Sequence, residues 1–300
     1  MRILISGSTG LIGSHLVRHF VDSGDDVYRL VRPETQRVSE PDRVVEWDIR
    51  AGTINRRKLS GFDAVINLAG ENLSAGPWMD ERKRRILKSR TVSTSLLANA
   101  LAENEQPPRV FISASAVGFY GDRGDETLTD DSAAGDGFLA DVCKQWEDAA
   151  KPAAQAGIRV VHPRFGMVLS QDGGALAKML PTFRFGLGGR FGNGTQYMPW
   201  IAIEDVVGIV DHIIRTDSLS GAVNVVAPEP ATNAEFTEVL GEVLSRPTLT
   251  IVPAFALKLM FGDMAREMLL ASQRVVPTRL TASGYVFRRP TLQQALEGVR

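Results

Sequence analysis

Apolar residues along this chain fall into short blocks divided by glycine, proline and charged turns, and the blocks alternate between two periods. Residues 1–6 (MRILIS) form a compact apolar run that predicts a buried strand. Ile12, Leu16 and Phe20 then recur at helical spacing, with Gly24 placed to end the helix. Residues 26–32 (DVYRLVR) and 44–49 (VVEWDI) predict the second and third strands. Residues 62–70 (FDAVINLAG) predict a fourth, with the unbroken apolar character of a strand covered on both faces. A basic stretch at 81–90 opens a helix whose continuation carries Leu96, Leu97, Ala100 and Leu101 on one stripe. Residues 109–120 (RVFISASAVGFY) predict a fifth strand, 139–156 a helical stretch, and 160–169 (VVHPRFGMVL) a sixth strand. Strands alternating with helices through short loops predict a doubly wound α/β fold on a parallel sheet.

After residue 170 the pattern changes. Residues 173–189 read as helix and then become glycine-rich. The segment 186–194 (GLGGRFGNG) lacks both the Gly-Lys-Ser/Thr ending and the preceding buried strand of a phosphate loop, so a loop beside a cleft is expected. Residues 198–206 return the chain to the core, with Trp200 packing and Asp205 capping a helix over 206–215. Residues 223–226 predict a late strand of the same sheet. Amphipathic helices follow at 235–244 and 254–261, and a short one at 291–299. Met260, Phe261, Met264, Met268, Leu269 and Leu270 are expected to form the core of a small, mostly helical cap, with a sticky surface for a partner or a dimer interface as the alternative.

Composition narrows the function classes. The chain has 300 residues, with 44% apolar and 23% charged, and Lys plus Arg (34) nearly balances Asp plus Glu (35). No global field recruits nucleic acid or an anionic membrane, and the basic stretch at 81–90 lacks the interleaved aromatics of a nucleic-acid surface. No run approaches the roughly 18 apolar residues of a membrane span, and the five-residue apolar start suits a strand better than a signal peptide. A lone cysteine, Cys143, excludes an intrachain disulfide and suits a cytoplasmic setting. His15 and His19 lie four apart without a metalloprotease glutamate, so no metal site is expected.

The first strand runs straight into Gly7, Gly10 and Gly13, and a helix follows. Glycines there permit a tight reversal, close approach of a phosphate, and tight packing of helix on strand. The helix N-terminus supplies free N–H groups and a favourable dipole, so the turn predicts a pyrophosphate cradle built from Gly7, Thr9, Gly10, Leu11, Ile12 and Gly13. About 20 residues beyond the glycines, an acid would bind the ribose hydroxyls of NAD. Arg32 stands there instead, which predicts a preference for the 2′-phosphate of NADP(H), with Arg29 as a helper. Asp48 and Ile49 at the end of the third strand are expected beside the adenine. Leu68, Ala69 and Gly70 at the end of the fourth are expected along the cofactor, and Ser113 and Arg164 at the ends of the fifth and sixth.

GSTGLIG (7–13), NLAG (67–70), SASAVGFYG (113–121) and PRFGMVL (163–169) together resemble the short-chain dehydrogenase/reductase superfamily, in its extended branch of nucleotide-sugar epimerases and dehydratases. Residues 173–207, 223–236 and 272–280 resemble an atypical epimerase-like family with its own C-terminal module, and the likeness covers nearly the whole chain. It implies a Rossmann-type NADP-binding domain (1–170 with 201–227) and a smaller substrate-binding cap (171–200 with 228–300). It also implies an extended-enzyme serine at Ser115 that polarises the substrate oxygen. The superfamily's Tyr and Lys, four residues apart and followed by a Glu, are missing: anchoring on Glu147 puts Leu139 and Cys143 in their places. Lys144 points about 100° away around the helix. Tyr120 is the remaining candidate proton donor.

Two readings stay open. One is an NADP(H)-dependent epimerase or reductase, acting by hydride transfer on a small carbonyl or hydroxyl compound such as a nucleotide sugar, as a monomer or homodimer. The other is a dinucleotide-binding regulator or scaffold that has lost the Tyr–Lys pair.

Overall fold

The computed structural model describes residues 1–34 and 43–299; residues 35–42, after Arg32, and Arg300 lie outside the described residues. The sheet is built from β1 (Arg2–Ser6), β2 (Asp26–Val31), β3 (Val44–Asp48), β4 (Ala64–Asn67), β5 (Val110–Ser113), β6 (Arg159–Phe165) and β7 (Gly221–Val225). Their spatial order is β7-β6-β5-β4-β1-β2-β3, every neighbouring pair is parallel, and Thr53–Ile54 adds an antiparallel edge beyond β3.

Residue parity divides the core. Ile3 and Ile5 of β1, Ala64 and Ile66 of β4, and Val110 and Ile112 of β5 face α1 (Leu11–Asp22), α4 (Gly174–Arg184) and α5 (Ile203–Arg215). Leu4, Val65 and Phe111, one step along the same strands, face α2 (Asp80–Ala102) and the short helix Lys151–Gln155 that follows α3 (Phe138–Asp148). Apolar residues at every position are therefore what a strand between two helical layers requires.

The fifth and sixth apolar runs do not remain single strands. β5 stops at Ser113, Ser115–Ala116 resumes its pairing with β6 in the same register, and Val117–Tyr120 winds into a 3₁₀ turn. The Gly166 N–H makes the last bond of β6 to β7, to the Val225 carbonyl; the Met167 N–H then turns to the Pro199 carbonyl, and Met167–Leu169 leaves to pair with Trp200–Ala202. A side chain at Gly166 would strike the Pro199 carbonyl, so the changeover requires glycine.

The last third departs further from expectation. Gly189–Phe191, inside the predicted glycine loop, is a short strand parallel to Thr250–Val252, and a Cβ at Gly189 would collide with the Thr250 carbonyl. α6 (Asn233–Leu244) opens with a capping box between Thr232 and Glu235. α7 (Ala254–Phe261) and the π-helical turn Ala265–Leu269 bury chiefly Leu257 and Ala265, whereas Met260 and Met268 are exposed, so the methionine-rich stripe is not a cap core. The terminal helix Leu292–Leu296 instead inserts Leu292 and Leu296 into the main core.

Asp205 is not a helix cap. α5 starts two residues earlier, at Ile203, and the fully buried Asp205 carboxylate accepts hydrogen bonds from the Arg288 N–H (2.7 Å), the Arg289 N–H (2.9 Å) and the Tyr285 hydroxyl (3.0 Å). Asp130 does the same on the other flank, accepting from the Asn224 N–H (2.6 Å), the Thr278 hydroxyl and the Arg279 N–H (3.0 Å). Asp205→Ala would strip the partner from three part-buried donors. We expect it to lower unfolding stability by roughly 2–4 kcal/mol, read as a reduced urea midpoint; an unchanged midpoint would show that the terminal segment docks without this carboxylate.

Candidate functional site

At the carboxyl end of β1 the chain turns through Gly7 at φ +65°, where a Cβ would press on the Leu68 backbone. The Gly10 N–H bonds the Gly7 carbonyl at 3.0 Å, and a Cβ at Gly13 would overlap that same carbonyl. α1 therefore starts hard against the turn. Its N-cap is Gly10, with no side-chain cap and no acid in its first turn, so the amides of Leu11 and Ile12 lack side-chain partners. Thr9 and Gly10 are exposed beside them. This is an anion cradle, and its residues fit the pyrophosphate of a dinucleotide.

The neighbouring strand ends fit the same ligand. Leu68, Ala69 and Gly70 leave β4 alongside, with the Leu68 N–H held by the Ser6 hydroxyl at 3.1 Å. Arg32 is exposed one residue past β2, in line with the end of β1. Asp48 closes a turn by accepting the Arg50 and Ala51 N–H groups at 2.9 and 3.0 Å, with Ile49 half-buried next to it. Over the groove, Leu11 packs against Gly173 and Gly174, and the Lys178 ammonium donates to the Ser74 hydroxyl at 2.6 Å, joining α4 to the loop after β4.

Where chemistry is expected, side chains are locked to one another. The Ser115 hydroxyl donates to Glu147 Oε1 at 2.7 Å, and the Arg164 guanidinium grips both Glu147 oxygens at 2.9 and 3.0 Å. Arg164 also donates to the Tyr120 hydroxyl at 2.9 Å and lies 3.4 Å from the centroid of the Phe119 ring. Tyr120 has no exposed surface and donates to Asn224 Oδ1 at 2.6 Å, and burial pushes its pKa above the ordinary phenol value. Two expectations are thereby corrected: Tyr120 is a strut under the site rather than a proton donor facing it, and Arg164 holds Glu147 instead of a cofactor.

Ser113 also points elsewhere. With Ser6 and Asn67 it forms a polar row on the α2 face of the sheet: Ser6 donates to Asn67 Oδ1 (2.6 Å), and Asn67 and Trp146 both donate to Thr94 (2.9 and 3.0 Å). The Ser113 hydroxyl is buried without a partner. Asn67, a polar residue ending a wholly apolar run, was the sequence signal for this row.

Leu139 packs against Gly118, and the buried Cys143 thiol turns to the Ala116 carbonyl at 3.6 Å, its pKa pushed up to about 11 by burial and by Glu147. Lys144 faces solvent and pairs with Asp141 at 2.7 Å. Sequence reading missed Glu267, whose carboxylate accepts the Phe138 and Leu139 N–H groups at 3.0 and 2.7 Å, so the C-terminal module caps the helix that would carry the tyrosine. The basic stretch at 81–90 is not left wholly to solvent. Lys83 instead pairs with Asp263 at 2.5 Å, and Arg90 is buried over Trp146. Among the described residues no group of three or more His, Cys, Asp and Glu side chains is placed to hold a metal ion, and no helix is long and apolar enough to cross a membrane.

Replacing Arg164 by Met leaves the Glu147 carboxylate without its cation; a loss of about 3–5 kcal/mol in unfolding free energy is expected by denaturant titration. The Cys143 thiol, protonated at neutral pH, should resist a disulfide reagent at pH 8 in the native protein and react at once in denaturant. Fast labelling of the native state would contradict its placement.

Comparison with known proteins agrees with this architecture. The model of the NAD dependent epimerase/dehydratase family matches residues 3–226, and a domain of unknown function, DUF1731, matches 252–299. An epimerase family protein of Mycobacterium leprae, ML0860, is 40% identical over 98% of this chain and 94% of its own length. The crystal structure of human epimerase family protein SDR39U1 with NADPH superposes with a TM-score of 0.90 at 35% identity, covering 100% of this chain and 99% of that one. A nucleoside-diphosphate sugar epimerase from Corynebacterium glutamicum superposes with a TM-score of 0.80 at 37% identity, covering 99% of this chain and 57% of that one. With its glycine cradle, its parallel sheet and a family match across three quarters of its length, the chain belongs to the NAD dependent epimerase/dehydratase family.

Proposed function

We propose that this protein binds NADP(H) in preference to NAD(H), and exchanges a hydride with a small carbonyl or hydroxyl compound, of which a nucleotide sugar is the leading class. The observation that carries the reading is the uncapped, acid-free start of α1 with Arg32 just past β2. The amides of the first turn of α1 hold the pyrophosphate, Arg32 the 2′-phosphate, Asp48 and Ile49 the adenine edge, and Leu68 to Gly70 the chain of the cofactor. The human relative crystallised with NADPH and the sugar-nucleotide name of the Corynebacterium relative support the same assignment.

The bound nicotinamide supplies the hydride donor or acceptor. This chain's own part is orientation. Because the Ser115 proton is committed to Glu147, Ser115 Oγ offers its lone pairs, and a substrate hydroxyl would donate to it. Arg164 holds both Glu147 oxygens in place, so the Glu147 acceptor for the Ser115 hydroxyl is fixed while a substrate hydroxyl donates to Ser115. Leu139 and Cys143 contribute neither a proton nor a positive charge.

That last fact also favours a second reading, a dinucleotide-binding regulator without turnover. Tight NADPH binding combined with no oxidation by a panel of sugar nucleotides, quinones and aldehydes would select it. For the first reading, calorimetric titration should give tighter binding of NADPH than NADH, and Arg32→Asp should weaken NADPH by about 10- to 100-fold while sparing NADH. Equal affinities for the two cofactors in the wild type would end the assignment of Arg32. On an identified substrate, Ser115→Ala should lower kcat about 10- to 100-fold with NADPH affinity unchanged.

A further inference from the structure

The near balance of charge over the whole chain conceals a local asymmetry. Residues 173–203 contain Lys178, Arg184 and Arg190 and no Asp or Glu, and residues 245–262 contain Arg246 and Lys258 and again no acid. The fold brings these two stretches together. Gly189–Phe191 pairs with Thr250–Val252, Arg246 Nε donates to the Arg184 carbonyl at 2.8 Å, and Gly186 lies against the Pro247 ring. Arg184, Arg190, Arg246 and Lys258 are exposed, and among the described residues none of the four pairs with a carboxylate.

The same surface concentrates the large exposed apolar side chains. Leu249 is 90% exposed, Leu259 86% and Phe185 81%, and Phe255, Met260 and Leu187 accompany them. Phe255 and Leu259 stand one turn apart on α7, next to Lys258, and of the eight residues of α7 only Leu257 is buried. An amphipathic surface normally turns such side chains inward; here they project from a rim of cations.

We propose that this face docks on an anionic lipid bilayer, with the side chains of α7 and of residues 185–187 and 249–251 entering the headgroup boundary while Arg184, Arg190, Arg246 and Lys258 meet lipid phosphates. A second copy of the chain is a poor occupant, because a two-fold contact through this face sets four unpaired cations against four others. A bilayer accepts separate projecting apolar side chains without a complementary pocket, and it supplies the missing negative charge. The inference stands apart from the cofactor assignment, since none of these residues touches the cradle.

The test is co-sedimentation of the full chain with vesicles of phosphatidylcholine alone and of phosphatidylcholine with about one third phosphatidylglycerol. The wild type should sediment with the anionic vesicles and not with the neutral ones, and raised salt should release it. Phe255→Ser with Leu259→Ser should weaken partition at least tenfold, and Arg190→Glu with Lys258→Glu at least about 25-fold, since each cation near the surface contributes roughly fivefold. These side chains are exposed, so an unchanged thermal midpoint serves as the folding control. Wild-type protein left in the supernatant, equal binding to both vesicle types, or a dimer that the Phe255/Leu259 pair of substitutions dissolves in the absence of lipid would each overturn the proposal.

Discussion

Asp130 and Asp205 sit in the core with no bulk water to solvate them; Asp205 accepts the Arg288 and Arg289 N–H groups, and Asp130 those of Asn224 and Arg279. A buried carboxylate is tolerable only where such donors converge, so the positions of residues 276–289 are set to within hydrogen-bond tolerance on both flanks of the sheet. The rest of the site inherits this constraint. Asp130 fixes the Asn224 backbone, Asn224 receives the Tyr120 hydroxyl, Tyr120 receives Arg164, and Arg164 fixes the Glu147 on which Ser115 rests. One run of charge-assisted contacts thus joins the C-terminal module to the centre of the candidate site. Glu267 adds a third carboxylate with the direction reversed, from the module to the start of α3.

Much of this architecture was legible in the residues because it is written in local rules. The apolar runs at 1–6, 26–32 and 44–49 became strands within a residue or two of expectation, and Gly7 and Gly13 stand where a Cβ would collide. What was not legible depends on partners distant in sequence. Nothing near Asp205 distinguishes a helix cap from an acceptor for Arg288 and Arg289, eighty residues away. The strand at Gly189–Phe191 exists only because Thr250–Val252 lies beside it. Tyr120 carries a reactive group in a suggestive sequence position, yet a 3₁₀ turn rotates it beneath the sheet end, and no periodicity announces that rotation.

The candidate site is therefore two structures of different character. The cradle is open, uncapped and made largely of backbone, as expected of a surface that must accept a large anionic ligand. The proton machinery beside it is closed, with Leu139, Cys143 and Lys144 each occupied with packing, a carbonyl or solvent. At the centre of the second, Ser115 is bonded to Glu147, whose two oxygens are both held by Arg164.

The Asp130 contacts also bear on how the protein is made. β7, the edge strand that Asp130 holds through Asn224, follows the body of the sheet by more than fifty residues, and the Thr278 and Arg279 contacts come later still. On a ribosome the first six strands emerge and collapse while Asp130 still lacks its native donors. The Asn224 N–H reaches Asp130 Oδ1 once β7 is made, but Oδ2 gains its donors only from Thr278 and Arg279, so shortened chains ending before residue 278 would leave one buried carboxylate oxygen without a partner and present themselves to cellular quality control as unfinished.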